Sequence, residues 1–565
     1  MLSSIKKITA IIALILVLSF VLVFLLKIRT VKEESTIYIR ADGSVERTDK
    51  IQRDGNVYTF IDNITSNNSD DSDICIVIER SNVIVNGNGY TLQGSGLGTG
   101  FYWETDINNV TIQNMTIDEV SRGIQLVSSS NNTITGNKLT NIKFSGIEIK
   151  NSSNNNSIAG NQIDNNKENH FSRGIYIKSS SKNSIYDNNI KNSGYGIILE
   201  KSSLENSVHE NTVTNNRHGI VLDGSGISPE ALRFNNVSGN HITNNSIGIQ
   251  IESHSENNTI TENYIASNSK GIHLRYGSER NTFSGNEISD NSIGISFEWS
   301  SNNLLRNNTI NNNADTFNFE TSSISYLIND VDESNTINGK PIYYWVNQQN
   351  KTIPSDAGYV ALVNCTDITV QNLNLVNNIQ GILVAYTTNS TITKNNITNN
   401  SEGILLHYSS HNTINENNIK ANDIGIKLGE KSYNNSIAGN QIETSTSAAI
   451  DLFAAYRNNI TGNNITDNNC GIGFWGSPNN VIYHNNFINN TRQVNDVYFA
   501  PNIALTFESP SINIWDNGVE GNYWSNYTGQ DNDGDGIGDT PHIIHENNQD
   551  NYPLMDMFTI PDFPS

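Results

Sequence analysis

The stretch Asn257–Phe297, NNTITENYIASNSKGIHLRYGSERNTFSGNEISDNSIGISF, states one phrase twice. Asn263 stands two residues before Ile265, and Asn286 two before Ile288. Gly271-Ile272-His273-Leu274 returns as Gly294-Ile295-Ser296-Phe297, and equivalent positions lie 23 residues apart. Apolar residues recur at every second position and Asn or Gly closes each short run, so no helical period competes. A repeat of this length, built from very short strands, predicts a solenoid.

The Gly of the Gly-Ile phrase serves as a ruler: Gly123, Gly146, Gly174, Gly196, Gly219, Gly248, Gly271, Gly294, then Gly381, Gly403, Gly425 and Gly471, with Ala449 standing in once. Most intervals are 22 to 24 residues. Between Gly294 and Gly381, Thr316–Phe319 and Gly358–Ala361 keep the phase, so the coil carrying Gly339–Trp345 holds about twenty extra residues, expected as a loop over 325–357 rather than a second domain. The predicted fold is all-β: a right-handed, single-stranded parallel β-helix of roughly 17 coils of 22 to 23 residues. Residues 36–94 read as an N-terminal cap with the first coils, 95–515 as the β-helix and 516–565 as a C-terminal cap. Stacked coils put like residues above one another: Ile and Val fill the dry column, Asn at the bends is expected to take αL geometry and bond the next Asn, and Gly removes a clashing Cβ.

The composition agrees. Only 36% of the 565 residues are hydrophobic, too few for a compact globule but enough for a thin aliphatic column. The net charge of −23, without a basic stripe, argues against nucleic acid. Cys75, Cys365 and Cys470 form no CxxC pair and read as reduced, half-buried coil residues. Lys6 and Lys7 precede an uncharged apolar run, Ile8–Leu26, and Lys27 and Arg29 follow it. That run suits an uncleaved signal anchor over residues 1–35, with a cleaved signal peptide as the alternative. Membrane anchorage and export of the polar bulk follow.

Two constellations could carry chemistry. Asp531, Asp533 and Asp535 alternate before Gly536, with the Ile537 carbonyl next and Asp539 closing, which is the spacing of a Ca²⁺ loop of hard oxygen ligands. Position 12 is His542 rather than Glu, so closure falls to Asp539 or Asp550, and the expected role is to fasten a cap to the open end of the rod. On the Gly-Ile strands, outward positions four past the Gly include Glu252, Arg275, Glu298, Glu320 and His407, with Tyr276, Trp299 and Tyr408 one further on and His273 also outward. Carboxylates flanked by aromatics suit a polysaccharide or envelope glycan, because rings stack on sugar C–H faces and carboxylates accept hydroxyl protons. Glu252 and Glu298, two coils or roughly 9–10 Å apart, sit at the upper edge for an inverting glycosidase pair. An alternating Glu–Arg–Glu ladder equally relieves repulsion between stacked strands, so no catalytic residue is assigned, and a lyase or hydrolase is the runner-up to a binding or envelope-structural role.

Phrases such as Asn258-Thr259-Ile260-Thr261-Glu262-Asn263 and Gly403-Ile404-Leu405-Leu406 resemble right-handed parallel β-helix proteins of the NosD type. The tail, Gly521-Asn522-Tyr523-Trp524-Ser525 with Asp531–Asp539 and Asp550–Leu554, is similar to the ending of many archaeal surface β-helix proteins. The resemblance implies an exported location and a third role, copper delivery. Soft ligands are few: Met115, Met555, Met557, the three Cys, and the pairs His407/His411 and His542/His545, neither with a third close His.

Overall fold

The computed structural model describes residues 36–165, 169–225, 232–320, 323–496, 511–545 and 547–560. The expected anchor falls on residues 1–35, outside the described residues. Among the described residues no helix is long and apolar enough to cross a membrane.

A right-handed β-solenoid of about 19 turns is built from parallel sheets on three faces, which are interrupted once between residues 320 and 352. Each winding contributes one strand to each face. Lys270–Arg275, on the Gly-Ile face, pairs with Ile247–Glu252 below and Ile293–Glu298 above, with Ile272 opposite Ile249 and Ile295. Thr259–Thr261 pairs with Thr282–Ser284 on the second face, and Tyr264–Ala266 with Glu287–Ser289 on the third. The apolar residues of these strands form one column: Ile260, Ile265, Ile272 and Leu274 have no exposed surface. Alternation puts their neighbours outside.

The count exceeds the expected 17 for two reasons. The N-terminal segment is itself wound, since Ile37–Ile39 pairs in parallel with Ile74–Ile78 and Val57–Phe60 with Val83–Asn86. The segment expected as a loop over 325–357 also holds a short winding. There Lys340–Val346 pairs in parallel with Tyr359–Val363 and Gln349–Thr352 with Thr366–Gln371, so much of the extra length is laid down as strand. The Gly-Ile ladder is interrupted here: one sheet ends at Asp315–Glu320 and the next begins at Lys340–Val346. Phe319 bridges the break through Tyr344, their ring centroids 5.4 Å apart.

The Asn ladders are real, with one correction. Asn263 accepts from the backbone N–H and side-chain amide of Asn240 (3.0 and 2.9 Å), and donates its own to Asn286 Oδ1 (3.1 and 3.0 Å) and to the Val237 carbonyl (2.9 Å). It is buried. The left-handed residue is its predecessor, Glu262 (φ 56°), just as Asn257 (φ 53°) precedes the buried Asn258. Ladder and turn need different backbones, so neighbouring residues divide the work. The file glycines likewise serve close stacking: a Cβ on Gly271 would lie 2.6 Å from the Gly294 carbonyl oxygen.

Both ends are covered. At the N-terminal end Val45–Glu46 pairs antiparallel with Ile37–Ile39, and Ile51–Asp54 with Val57–Phe60, which masks exposed sheet edges. At the other end Tyr523–Trp524 pairs with the strand Asn486–Ile488, and the buried Asp550 takes the place of the next Asn. Its carboxylate accepts from the Asn522 N–H (2.7 Å) and the Trp524 indole (2.8 Å). Burial pushes this carboxyl up to about 6.

Candidate binding face

The Gly-Ile face carries the outward residues singled out above, and the structure brings most of them together in two places. In the first, Arg275 lies between Glu252 and Glu298, its Nε 3.8 and 3.9 Å from their Oε2 atoms. His273 is buried beneath them with Nε2 3.3 Å from Glu298. Burial, reinforced by Lys270 and Arg275, pushes this imidazole down to about 3, so it is neutral. Burial and the nearby Asp223 raise the Glu252 carboxyl. The two carboxylates converge on one guanidinium, closer than strand spacing suggests. Arg275 occupies the gap in which a glycosidase pair would hold its water. Glu320 continues the row, its backbone paired with Glu298, while its side chain lies outside the described residues.

Beside this row stand Tyr276 and Trp299, 39% and 45% exposed, ring centroids 5.6 Å apart and tilted by 40°. Arg275 lies over the Tyr276 ring at 4.0 Å. The backbone here is unusual. Position five past the file Gly is left-handed in coil after coil, occupied by Ser128, Asn151, Ser179, Lys201 and Ser253, but also by Tyr276, Trp299, Tyr386 and Tyr408 (φ 51–53°). A bulky aromatic there costs about 1–2 kcal/mol relative to residues that tolerate this region.

The second place is a groove of about 740 Å³ that starts at Asn318 and Phe319 and continues past the interruption. His407 lines it; Tyr408 stacks on Tyr386 at 4.8 Å and donates to Glu430 at 2.7 Å. Its floor holds residues that following the fourth position past the Gly misses. Glu402 sits one residue before its Gly and is paired with Lys427 at 2.6 Å, and Asp451, like Lys427, sits two past its file residue. Burial raises the Asp451 carboxyl and lowers the His407 imidazole. The signal was present in sequence as charged residues at −1 and +2 of consecutive coils.

At the C-terminal end Asp531, Asp533 and Asp535 lie together, one carboxylate oxygen of each within 4.8 Å of the others. Asp531 accepts from the Gly534 and Gly536 N–H groups (2.7 and 2.9 Å) and Asp535 from that of Ile537 (2.8 Å). Repulsion from Asp535 raises the Asp533 carboxyl. The other expected ligands are engaged elsewhere: Asp539 accepts from the Asn532 N–H at 2.9 Å, Ile537 bridges to Leu554, and Asp550 lies in the rod end.

Copper needs soft sulfur or imidazole donors gathered at one point, and the described residues gather none. The three thiols are buried at separate places, and burial pushes them up, Cys470 to about 11, which disfavours the thiolate. Met115 is in the core. His411 faces Asn434 (3.2 Å) rather than His407. His542 stacks on Trp524 at 4.5 Å, whereas His545 faces Asp496 at 3.2 Å.

The architecture is that of the right-handed β-helix region, whose family profile matches residues 99–265. The chain belongs to the NosD family, described as periplasmic copper-binding protein (NosD), which matches residues 223–347 and 329–529. A curated relative, the probable ABC transporter binding protein NosD of Pseudomonas aeruginosa, is 31% identical over 127 residues, 20% of this chain. The chain spans 27% of that relative's length. Among solved structures, the periplasmic alginate epimerase AlgG is similar over 74% of this chain and 83% of its own (14% identity, TM-score 0.25). The endo-xylogalacturonan hydrolase of Aspergillus tubingensis is similar over 70% and 88% (11% identity, TM-score 0.29).

Proposed function

We propose that the protein is an extracytoplasmic β-helix protein that binds a polysaccharide of the cell envelope along its Gly-Ile face without cleaving it. The observation that carries this reading is the run of aromatics at the left-handed position. Tyr276 and Trp299 occupy, half exposed, a backbone site that other coils fill with Ser, Asn or Lys. A costly choice repeated beside a charged row is accounted for by a ligand that stacks on the rings. Incubating the protein with neutral and acidic glycans tests it: binding without new reducing ends or unsaturated products is expected, abolished by Trp299→Ala. Product formation that disappears in Glu252→Gln would replace it with the hydrolase reading, which the raised Glu252 carboxyl favours. The anchor expected over residues 1–35 would hold the rod at the membrane surface.

The Asp loop is proposed to take one Ca²⁺, since a divalent cation relieves the repulsion among three adjacent carboxylates. Calorimetric titration should give a single site weakened at least tenfold by Asp533→Asn, by order of magnitude for a lost charged ligand. The family description makes copper a second metal to titrate; the donor set predicts no tight stoichiometric uptake.

A further inference from the structure

We infer that the groove across the interruption receives an amino-sugar residue of the glycan, with Asp451 pairing its ammonium group; this rests on the Gly-Ile face being a glycan-binding surface. Three features point to a cationic sugar. The first is the charge left over after internal pairing. Glu402 is neutralised by Lys427 at 2.6 Å and also accepts from Gln380 at 3.2 Å. Asp423 accepts from the hydroxyls of Thr446 and Ser447 (2.6 and 2.5 Å), and Glu430 from that of Tyr408. Lys427 is thereby engaged, and its remaining influence on Asp451 is through space. Burial lowers the His407 imidazole, which disfavours a positive charge there. The lining is therefore net negative, and a chain bearing a carboxylate on every sugar is repelled.

The second feature is the position of Asp451. Its carboxylate leans over Gly473, where a Cβ would lie 2.7 Å from Oδ1, so the glycine leaves room for the acid beside the aromatic wall. The third is that wall. Phe453 and Trp475 are backbone partners on adjacent windings, and both line the groove. Their faces suit the C–H face of a pyranose, and the Trp475 indole N–H donates a hydrogen bond to Asp451, which leaves the acid's negative charge without a paired cation. Across Gly429, His407 lines the groove, and its Nε2 is buried without a hydrogen-bond partner among the described residues. A plain polyamine would satisfy Asp451 but leave the rings and His407 unused.

Calorimetry on the full chain with a glucosamine tetramer, its N-acetylated counterpart, a galacturonate tetramer and spermidine tests this. The glucosamine tetramer is expected to bind tightest and to lose at least about tenfold in affinity in both Asp451→Asn and Trp475→Ala. Asp451→Asn preserves shape, and an unchanged melting curve shows that the variant folds. Equal or tighter binding of the galacturonate tetramer overturns the inference, as does wild-type affinity in Asp451→Asn. Spermidine binding as tightly as the sugar, with no dependence on Trp475, overturns it in favour of a bare cation site. N-acetylated glycan bound through Trp299, with no preference for the amine, overturns this inference and leaves the polysaccharide reading standing. Binding of no glycan overturns both.

Discussion

The aromatics at left-handed turns set backbone cost against the binding role proposed for them. Trp299→Asn relieves about 1–2 kcal/mol of backbone cost and gives up about 0.5–1.5 kcal/mol of ring pairing with Tyr276. The expected outcome is a melting temperature no lower than that of the parent, with binding of neutral and acidic glycans at the Tyr276–Trp299 rings lost; a large drop in stability would make the ring a packing residue. Asp550 supplies a second residue-scale test. Its folded pKa of about 6 exceeds the roughly 3.9 of an unfolded Asp, so the folded state keeps the proton longer. Its contribution is most favourable below about pH 4 and is lost as pH rises to about 6, by up to roughly 3 kcal/mol. Fluorescence of the adjacent Trp524, followed in urea at several pH values, should show the rod end loosening across that window, and the window should vanish in Asp550→Asn.

At the scale of the element, the ladders carry the stability of the turns. Asn263→Ala removes a side chain that satisfies the Asn240 N–H, the Val237 carbonyl and the Asn286 amide oxygen together. With about 1–3 kcal/mol per buried group left without a partner, a loss of roughly 3–5 kcal/mol is expected in urea unfolding. Asn257→Gly, one winding-corner earlier and at a left-handed position, should be close to neutral. The element scale also marks what was readable in advance. The alternation around Ile260, Ile265 and Ile272 and the recurrence of Gly-Ile define the strands, their register and their stacking from sequence alone, because a period-two pattern admits one inward set. Three things were not readable. The division of labour between Glu262 and Asn263 depends on backbone angles that two polar residues leave ambiguous. The segment around Lys340–Val346 winds in a shorter register, so a ruler of about 23 residues passes over it. Asp451 and Glu402 become neighbours of Lys427 only once the position before the Gly and the second position after it are seen to share a floor.

The whole molecule behaves as a stack whose two halves meet at the break between Glu320 and Lys340. The Glu252–Arg275–Glu298 row with its exposed rings lies before the break, whereas the groove reaches across it from Phe319 to Asp451, many windings beyond Trp299. Because each winding touches only its neighbours, damage at one site should leave the other intact. Trp299→Ala is expected to leave binding of the glucosamine tetramer to the groove unchanged within about twofold, as measured by the same calorimetry. The end plug belongs to this scale as well. A Cβ on Gly521 would fall on the Asp550 carboxylate, so Gly521→Ala should unseat the plug and raise the susceptibility of residues 516–560 to protease while the upstream rod survives.

The equivalence of Asn263 and Asn286 has a wider bearing. Where every joint is the same joint, a segment such as 249–271 can be excised, or copied and pasted, and the flanking pieces will meet in the geometry they already use. Lineages of such a protein are free to lengthen or shorten by whole steps, and the reach of the surface offered to a long polymer becomes an integer that can be adjusted without redesigning any contact.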